Sequence, residues 1–386
     1  MNRYVKLMNS IALLIGAVVF MHGVSSEIVS KPQVALAQTT EDQYVYLPII
    51  TRPTGPEYKI VFASDRGLDW NVYDIFTMNM AGENVRNMTN TPDVPESYPV
   101  WSPDGTMIAY LSGAEGQEDV FIMNADGSNK RNVSNTPSAS EKKPLWSPDS
   151  KKVGFLSDRD DQAGVYDVFV VNADGTGLTN LTHSIDADEW SMDWSPDGTK
   201  IVYLADKSLH PMSLIGHVVT MNMDGANKQT VFTDTGFNYN PVWTPDGSKI
   251  TFNFYSGCLA MINADGSNLA RCFTAPPELD GMKGFKWNST GSRLAYVGFF
   301  NQNSTRLYIY NPVTKQSTDI TPNLLGFSPN MPFDWSADNT QIILGEGGGD
   351  GEEISIIKVD GSDYKNLTDS EQGRHRWPDL SPIKLP

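Results

Sequence analysis

Few side chains in this chain are placed to do chemistry. Of its five histidines, four lie beyond the N-terminal segment: His183, His210, His217 and His375. A histidine metal site needs ligands at close, patterned spacing. These lack it, so separate surface or core histidines are the first reading and a two-histidine site the second. No G-x-S-x-G nucleophile elbow occurs, and the glycine-rich run at 345–351 falls between predicted strands instead of opening a helix. No catalytic residue, metal or cofactor is therefore assigned. Binding chemistry is better represented. Trp70, Trp190 and Trp377 stand apart from six tryptophans that recur in a motif. Trp70 and Trp377 are expected near Arg66, Arg374, His375 and Arg376. Such a cluster could stack a sugar ring or anchor a protein loop, and packing at a seam is the competing reading. Asp158, Arg159, Asp160 and Asp161 form a second group, Asp186, Asp188 and Glu189 a third, and Asp350, Glu352 and Glu353 a fourth. Read plainly, the acidic groups are a solvated rim. Read sharply, Asp158, Arg159, Asp188 and Glu189 belong to a docking face for a basic partner or to a calcium site, although no calcium-loop spacing is present.

The elements that must position these groups follow from a repeat. Trp101-Ser102-Pro103-Asp104-Gly105 returns at Trp146, Trp194 and Trp243, and in looser form at Trp287 and Trp335, every 44 to 49 residues. A period in this range marks one repeated supersecondary unit. Each unit reads as four strands. The first ends in the Trp, a Pro-Asp-Gly turn follows, and the second is nearly continuous in apolar residues, as in Ile201-Val202-Tyr203-Leu204. A third strand then leads through an Asn-Ala-Asp-Gly-type hairpin to a short fourth. Continuous apolar strands are buried on both faces. The first strands carry Pro99, Pro144, Pro241 and Pro378, which confines them to a sheet edge. The recurring turn aspartates, Asp104, Asp149, Asp197 and Asp246 among them, read as turn chemistry.

Strands two to four of the first unit appear from residue 59 without a motif before them, and the last motif, at Trp377–Pro382, has no strands after it. The two ends complement each other. The expectation is an all-β fold, a seven-bladed β-propeller of four-stranded antiparallel blades, closed by a C-terminal strand that completes blade 1. Its domains would be 1–37, a signal peptide; 38–57, an extended tail; and 58–386, the propeller. The signal rests on Arg3 and Lys6 ahead of the apolar run 11–21, with Ala35-Leu36-Ala37 as cleavage site, an earlier cut near Ser26 as alternative, and an uncleaved anchor as a further one. The protein is expected to be exported, periplasmic or extracellular, monomeric, and without a membrane span once the signal is removed.

The net charge of −17 excludes nucleic acid, which needs a basic footprint, and suits a cationic or neutral ligand. Cys258 and Cys272 flank the hairpin at 263–267. With Asn263 paired to Ser267, counting outward sets the two cysteines opposite each other. An exported protein permits a disulfide, and two buried free thiols are the alternative.

The Trp-Ser-Pro-Asp-Gly turns, the Asn-Ala-Asp-Gly-Ser hairpins, Asn180-Leu181-Thr182 and Asn366-Leu367-Thr368, and Ser64-Asp65-Arg66 and Ser157-Asp158-Arg159 together resemble the WD40-like (PD40) repeats of the TolB propeller family. The resemblance covers 58–386 and implies an exported bacterial propeller that serves as an interaction platform. TolB itself has six blades and a preceding α/β domain, neither of which this sequence supports. Similar blades occur in prolyl oligopeptidase-type enzymes, whose hydrolase domain is missing here, and in seven-bladed oligogalacturonate lyases, which hold a divalent metal largely through histidines. The function expected is a non-catalytic binding module whose variable-loop rim recognises a protein or glycan. The alternative is a metal-assisted polysaccharide lyase or hydrolase.

Overall fold

The computed structural model describes residues 58–68, 72–136, 138–160, 164–184, 187–206, 216–234, 238–254, 258–273, 279, 281–300, 304–321, 332–346, 353–368, 373–383 and 385, with strand backbone at 36–38 and 44–46. The chain divides into two units, Met1–Gly55 and Pro56–Pro386. In the first, Leu36–Gln38 pairs antiparallel with Tyr44–Tyr46. Residues 1–35, where most of the signal is expected, lie outside the described residues.

The second unit is seven antiparallel sheets in sequence order. Blade 2 is Glu96–Trp101, Met107–Ser112, Asp119–Asn124 and Arg131–Asn132. Blade 3 is Glu141–Trp146, Lys152–Ser157, Asp167–Asn172 and Thr179–Asn180. Blade 4 is Asp188–Trp194, Lys200–Asp206, Gly216–Asn222 and Gln229–Asp234. Blade 5 has Asn238–Trp243, Lys249–Phe254 and Cys258–Asn263, and its fourth strand shrinks to one bridge between Met261 and Ala270. Blade 6 is Gly281–Trp287, Leu294–Phe300, Ser304–Asn311 and Gln316–Asp319, and blade 7 is Phe333–Trp335, Gln341–Glu346, Glu353–Lys358 and Lys365–Asn366. Blade 1 joins the two ends of the unit. His375–Leu380 pairs with Lys59–Ser64, followed by Asp74–Asn79 and Arg86–Asn87. The Ser381 amide donates to the Lys59 carbonyl at 2.8 Å, so the C-terminal strand closes the ring.

The packing explains the apolar runs. Ala109, Leu111, Val120 and Ile122 of blade 2 form one core with Trp146, Val153, Phe155 and Phe169 of blade 3, and the other junctions repeat this arrangement. Four of the six motif tryptophans, Trp146, Trp194, Trp287 and Trp335, also reach back one blade. Trp146 Nε1 donates to the Val100 carbonyl at 3.2 Å, Trp194 Nε1 to Leu145 at 3.3 Å and Trp335 Nε1 to Lys286 at 3.0 Å. The first-strand prolines sit in β-bulges, with register breaks between Ser97 and Val100, Lys142 and Leu145, and Arg376 and Asp379. A missing N–H costs nothing where the ladder is already broken. The turn aspartates accept from their own turns. Ser147 Oγ, Ser195 Oγ and Thr244 Oγ1 each donate to the following aspartate at 2.6 Å, and these hydrogen bonds hold Asp149, Asp197 and Asp246 below the usual carboxylate range. Gly105 is required in its turn. Its φ is +70°, and a Cβ there would lie 2.6 Å from Ile383, which packs on blade 2 just past the closing strand.

Candidate functional site

The tight turns between strands one and two and between strands three and four share one rim. Loops of unequal length fall on the other, the usual place for recognition. Apart from Trp70, the candidate binding residues belong to the variable rim or to the inner strands that run down from it.

The blade 1–2 junction gathers part of the predicted cluster. Trp377 stacks on Tyr98 with ring centroids 4.5 Å apart and meets Tyr73 edge-on at 6.0 Å. The Arg376 guanidinium lies 5.2 Å from the Tyr73 ring and 5.7 Å from Trp377. Arg374 and His375 are directed inward. The Arg374 Nη2 pairs with Asp65 Oδ2 at 2.8 Å and its Nε with the same oxygen at 2.9 Å, and both side chains are buried. His375 is buried with its ring 5.8 Å from Phe62. The Arg66 amide bonds Ser64 Oγ at 3.1 Å. Trp70 lies outside the described residues.

Asp158, Arg159, Asp188 and Glu189 are joined to the fold by short bonds. Asp158 accepts from the Ser140 and Gly164 amides, each at 2.8 Å, and Asp188 from the Tyr166 amide at 2.9 Å. Arg159 pairs with the buried Glu141 at 2.9 Å, and its guanidinium sits 4.8 Å from the centre of the Phe169 ring. Glu189 is buried and accepts from Ser184 Oγ at 2.8 Å.

Glu189 belongs to a device that sequence reasoning missed. At three successive junctions, an aspartate opening a third strand meets a glutamate opening the next blade through hydroxyl side chains. Thr91 Oγ1 lies 3.1 Å from Asp74 Oδ1 and 2.9 Å from Glu96 Oε1. Thr136 Oγ1 bridges Asp119 and Glu141 at 3.2 and 2.9 Å. Asp167 and Glu189 are linked through Thr182 and Ser184. Burial pushes Glu96 up to about 7 and Glu189 up to about 9. Burial also raises Glu141, against opposing bonds from Ser157 and Thr136 and the charge of Arg159. The sequence did carry a signal: a glutamate five residues before the motif Trp in blades 2, 3 and 4, matched to the third-strand aspartates.

A second charged set lies deeper on the inner strands, beside the motif tryptophans. Lys286 Nζ pairs with Asp334 Oδ1 at 2.6 Å, while Asp379 Oδ2 accepts from the Trp101 amide at 2.7 Å and Asp193 Oδ2 from the Trp243 amide at 2.8 Å. Burial alone would lower Lys286, but Asp334, Asp379 and Asp193 hold it charged above its ordinary value. Burial and the neighbouring Asp334 raise Asp379, so Asp379 keeps the proton and Asp334 the charge. Burial lifts Asp193 to about 7.

The histidines are dispersed. His183 is exposed in a left-handed turn, His217 Nδ1 lies 2.8 Å from Thr233 Oγ1, and His210 falls outside the described residues. Among the described residues no three metal-ligating side chains come together. Cys258 and Cys272 are joined by a disulfide that ties the start of the third strand of blade 5 to the segment replacing its fourth. No helix of the described residues is long and apolar enough to cross a membrane.

Seven sheets closed by a terminal strand define a seven-bladed β-propeller. The sequence model of the TolB β-propeller domain (PD40) matches residues 55–257. The chain belongs to that family. No curated protein matches it by sequence. Among solved structures it is similar to an oligogalacturonate lyase in complex with manganese, at 13% identity, covering 86% of this chain and 99% of that one with a TM-score of 0.63. It is similar to TolB from Acinetobacter baumannii at 16% identity, covering 84% and 82% with a TM-score of 0.54. It is also similar to a puromycin hydrolase at 14% identity, covering 82% of this chain and 52% of that one with a TM-score of 0.64. At these identities the structures share the fold.

Proposed function

We propose that this protein is an exported, non-catalytic binding module, and that its variable-loop rim recognises a protein or glycan. Residues 1–37 serve as the export signal and 38–57 as a tail ahead of the ring. The observation that carries the reading is the Trp377–Tyr98 stack with Arg376 beside it, an aromatic and cationic patch at the junction where the ring closes. Tyr98 is 43% exposed although it sits on an innermost strand. Large aromatic rings with an adjacent guanidinium are the groups that dominate recognition hot spots. In this reading Trp70, Arg66, Trp377 and Arg376 meet the partner. Arg374, His375, Asp158, Arg159, Asp188 and Glu189 fix the loops and strands that present it. The oligogalacturonate lyase neighbour suggests the competing reading, a metal-assisted lyase, for which His183 and His217 would be the ligands.

The test is capture from the source organism's medium and envelope by the wild-type protein and by Trp70→Ala and Trp377→Ala. Both variants are expected to melt as wild type and to lose a specific partner. Unchanged capture by both would remove the junction patch from the site. A stoichiometric transition metal lost on replacing His183 or His217 would favour the lyase.

A further inference from the structure

The rim end of the inner strands carries a feature that extends beyond the Trp377–Tyr98 stack. In four blades a bulge residue adopts the left-handed conformation: Tyr98 at φ 49°, Lys143 at 52°, Asn240 at 50° and Trp377 at 50°. Such backbone is uncommon for these residue types, and bulges are where a strand re-aims a side chain. Inner strands line the central channel of a propeller, so these residues stand around its mouth. Contacts between blades show two of them meeting their neighbours. Trp377 of blade 1 stacks on Tyr98 of blade 2, and Lys143 Nζ of blade 3 donates to the Trp190 carbonyl of blade 4 at 2.8 Å. Tyr98 and Trp190 are 43% and 44% exposed. Trp190 follows directly on Asp188 and Glu189, both fastened to loop residues next to the third and fourth strands of blade 3.

Lys143 is the odd member. It is a cation in a chain of net charge −17, yet among the described residues no carboxylate lies within ion-pair distance of it. An ammonium has three donors, and the Trp190 carbonyl takes one. Surrounding protein, then the neighbouring Lys142, lower its pKa, the reverse of what a carboxylate neighbour would do. The side chain is nevertheless open to solvent, as a group inside a wide mouth would be. The site therefore offers a positive charge without a carboxylate partner among the described residues, beside the exposed Trp190 and one blade on from the exposed Tyr98.

We propose that the channel mouth framed by Trp377, Tyr98, Lys143 and Trp190 binds an acidic glycan, with Lys143 holding a sugar carboxylate and the aromatic rings receiving the apolar faces of the sugar rings. This rests on the binding-module reading, names its ligand class, and departs from the cationic or neutral ligand that the net charge of −17 suits, because the local charge at Lys143 is positive. A carboxylated sugar presents both chemistries together, a charge-assisted acceptor and a flat C–H face. An acidic peptide fits less well. Peptides commonly bind by adding a strand to an open edge, and the inner edges are engaged. The Trp101 and Trp243 amides bond Asp379 and Asp193, and indoles occupy the carbonyls of Val100, Leu145 and Lys286.

Titration calorimetry on the full-length protein tests this with three probes: polygalacturonate, its full methyl ester and poly-glutamate. The wild type is expected to bind polygalacturonate and to lose about tenfold or more in affinity for the ester, which keeps the rings and loses the charge. Lys143→Met should weaken polygalacturonate binding by about tenfold, Lys143→Arg should restore most of it, and Trp190→Ala should weaken it by about fivefold or more, scales set by one charge-assisted bond and one aromatic contact. Thermal melting of each variant controls for folding. Absence of polygalacturonate binding, equal binding of the ester, or wild-type affinity in folded Lys143→Met would overturn the proposal. Tighter binding of poly-glutamate would replace it with a peptide site. If these fail while partner capture still depends on Trp377, the rim reading stands and only this ligand class falls.

Discussion

Replacing Glu96 by glutamine should stabilise the propeller above neutral pH and leave it nearly unchanged near pH 4.5. Glu96 is 3% exposed, and burial, the larger cause, with Asp74 adding to it, raises its carboxyl from 4.5 to about 7. Among the described residues no basic side chain pairs with it. Because the folded protein holds this proton more tightly than the unfolded chain, the glutamate contributes fully below about 4.5, and its contribution is lost as pH rises through about 7. A shift of this size corresponds to about 3 kcal/mol. Glutamine keeps the shape and the neutral state. Its Oε1 can accept from the Ile75 amide, now 3.3 Å from Glu96 Oε2, and its Nε2 can donate to Thr91 Oγ1, leaving that hydroxyl to donate to Asp74. Urea unfolding of wild type and variant across the range from about pH 4.5 to 9 isolates the term, since every other titrating group cancels in the difference. The expected difference rises from near zero at pH 4.5 to about 3 kcal/mol above pH 7, with half of the change reached about midway between these two values. A difference that does not change with pH, or a variant weaker throughout, would refute the assignment of a neutral Glu96.

At the next junction the same substitution should act in the opposite sense. Glu141→Gln leaves Arg159, 10% exposed, without its counter-charge, so a loss of about 3 kcal/mol is expected in the same unfolding assay at neutral pH. Removing the Cys258–Cys272 bond by paired serine substitution should cost about 3 kcal/mol, the scale for closing a loop of its 14-residue separation. Denaturation with and without a reducing agent checks this, because the wild type in reductant should match the serine variant.

Much of the fold was legible because its signals are local. A Pro-Asp-Gly turn depends on a few adjacent residues, and so does an apolar run such as Ile201 to Leu204, buried on both sides as its composition implies. Closure was legible for another reason: the first unit lacks the strand that the chain's last motif supplies. The candidate site was less legible. Arg374 and Arg159 look the same in sequence whether they face a ligand or a buried carboxylate. The partner that decides for Arg374 is Asp65, 309 residues away. The left-handed bulges were equally hidden. Proline at 99, 144, 241 and 378 marks an edge strand, but the residue just before it, which carries Tyr98, Lys143, Asn240 or Trp377, shows its conformation only in three dimensions.

The polar links between blades are distributed in a way that bears on where a ligand can act. Junctions 1–2, 2–3 and 3–4 carry the hydroxyl-bridged carboxyl pairs near the variable rim. Junctions 4–5, 6–7 and 7–1 carry the deeper inner-strand set of Asp193, Lys286 and Asp334, and junction 5–6 carries bonds from Trp287 Nε1 to Thr251 Oγ1 at 3.0 Å and from Asn253 Nδ2 to the Met282 carbonyl at 3.4 Å. Blades 1 to 4 are thus fastened at the level of the rim itself, and Trp377, Tyr98, Lys143 and Trp190 come from these same four blades. Side chains held by a stiff frame lose less freedom on meeting a ligand, and that saving appears as affinity. The rim-level pairs, costly as buried carboxyls are, lie where rigidity of the channel mouth would repay them. Loosening one of them, as Glu141→Gln should, is therefore expected to weaken ligand binding at the mouth as well as the fold, even though Glu141 is buried away from it.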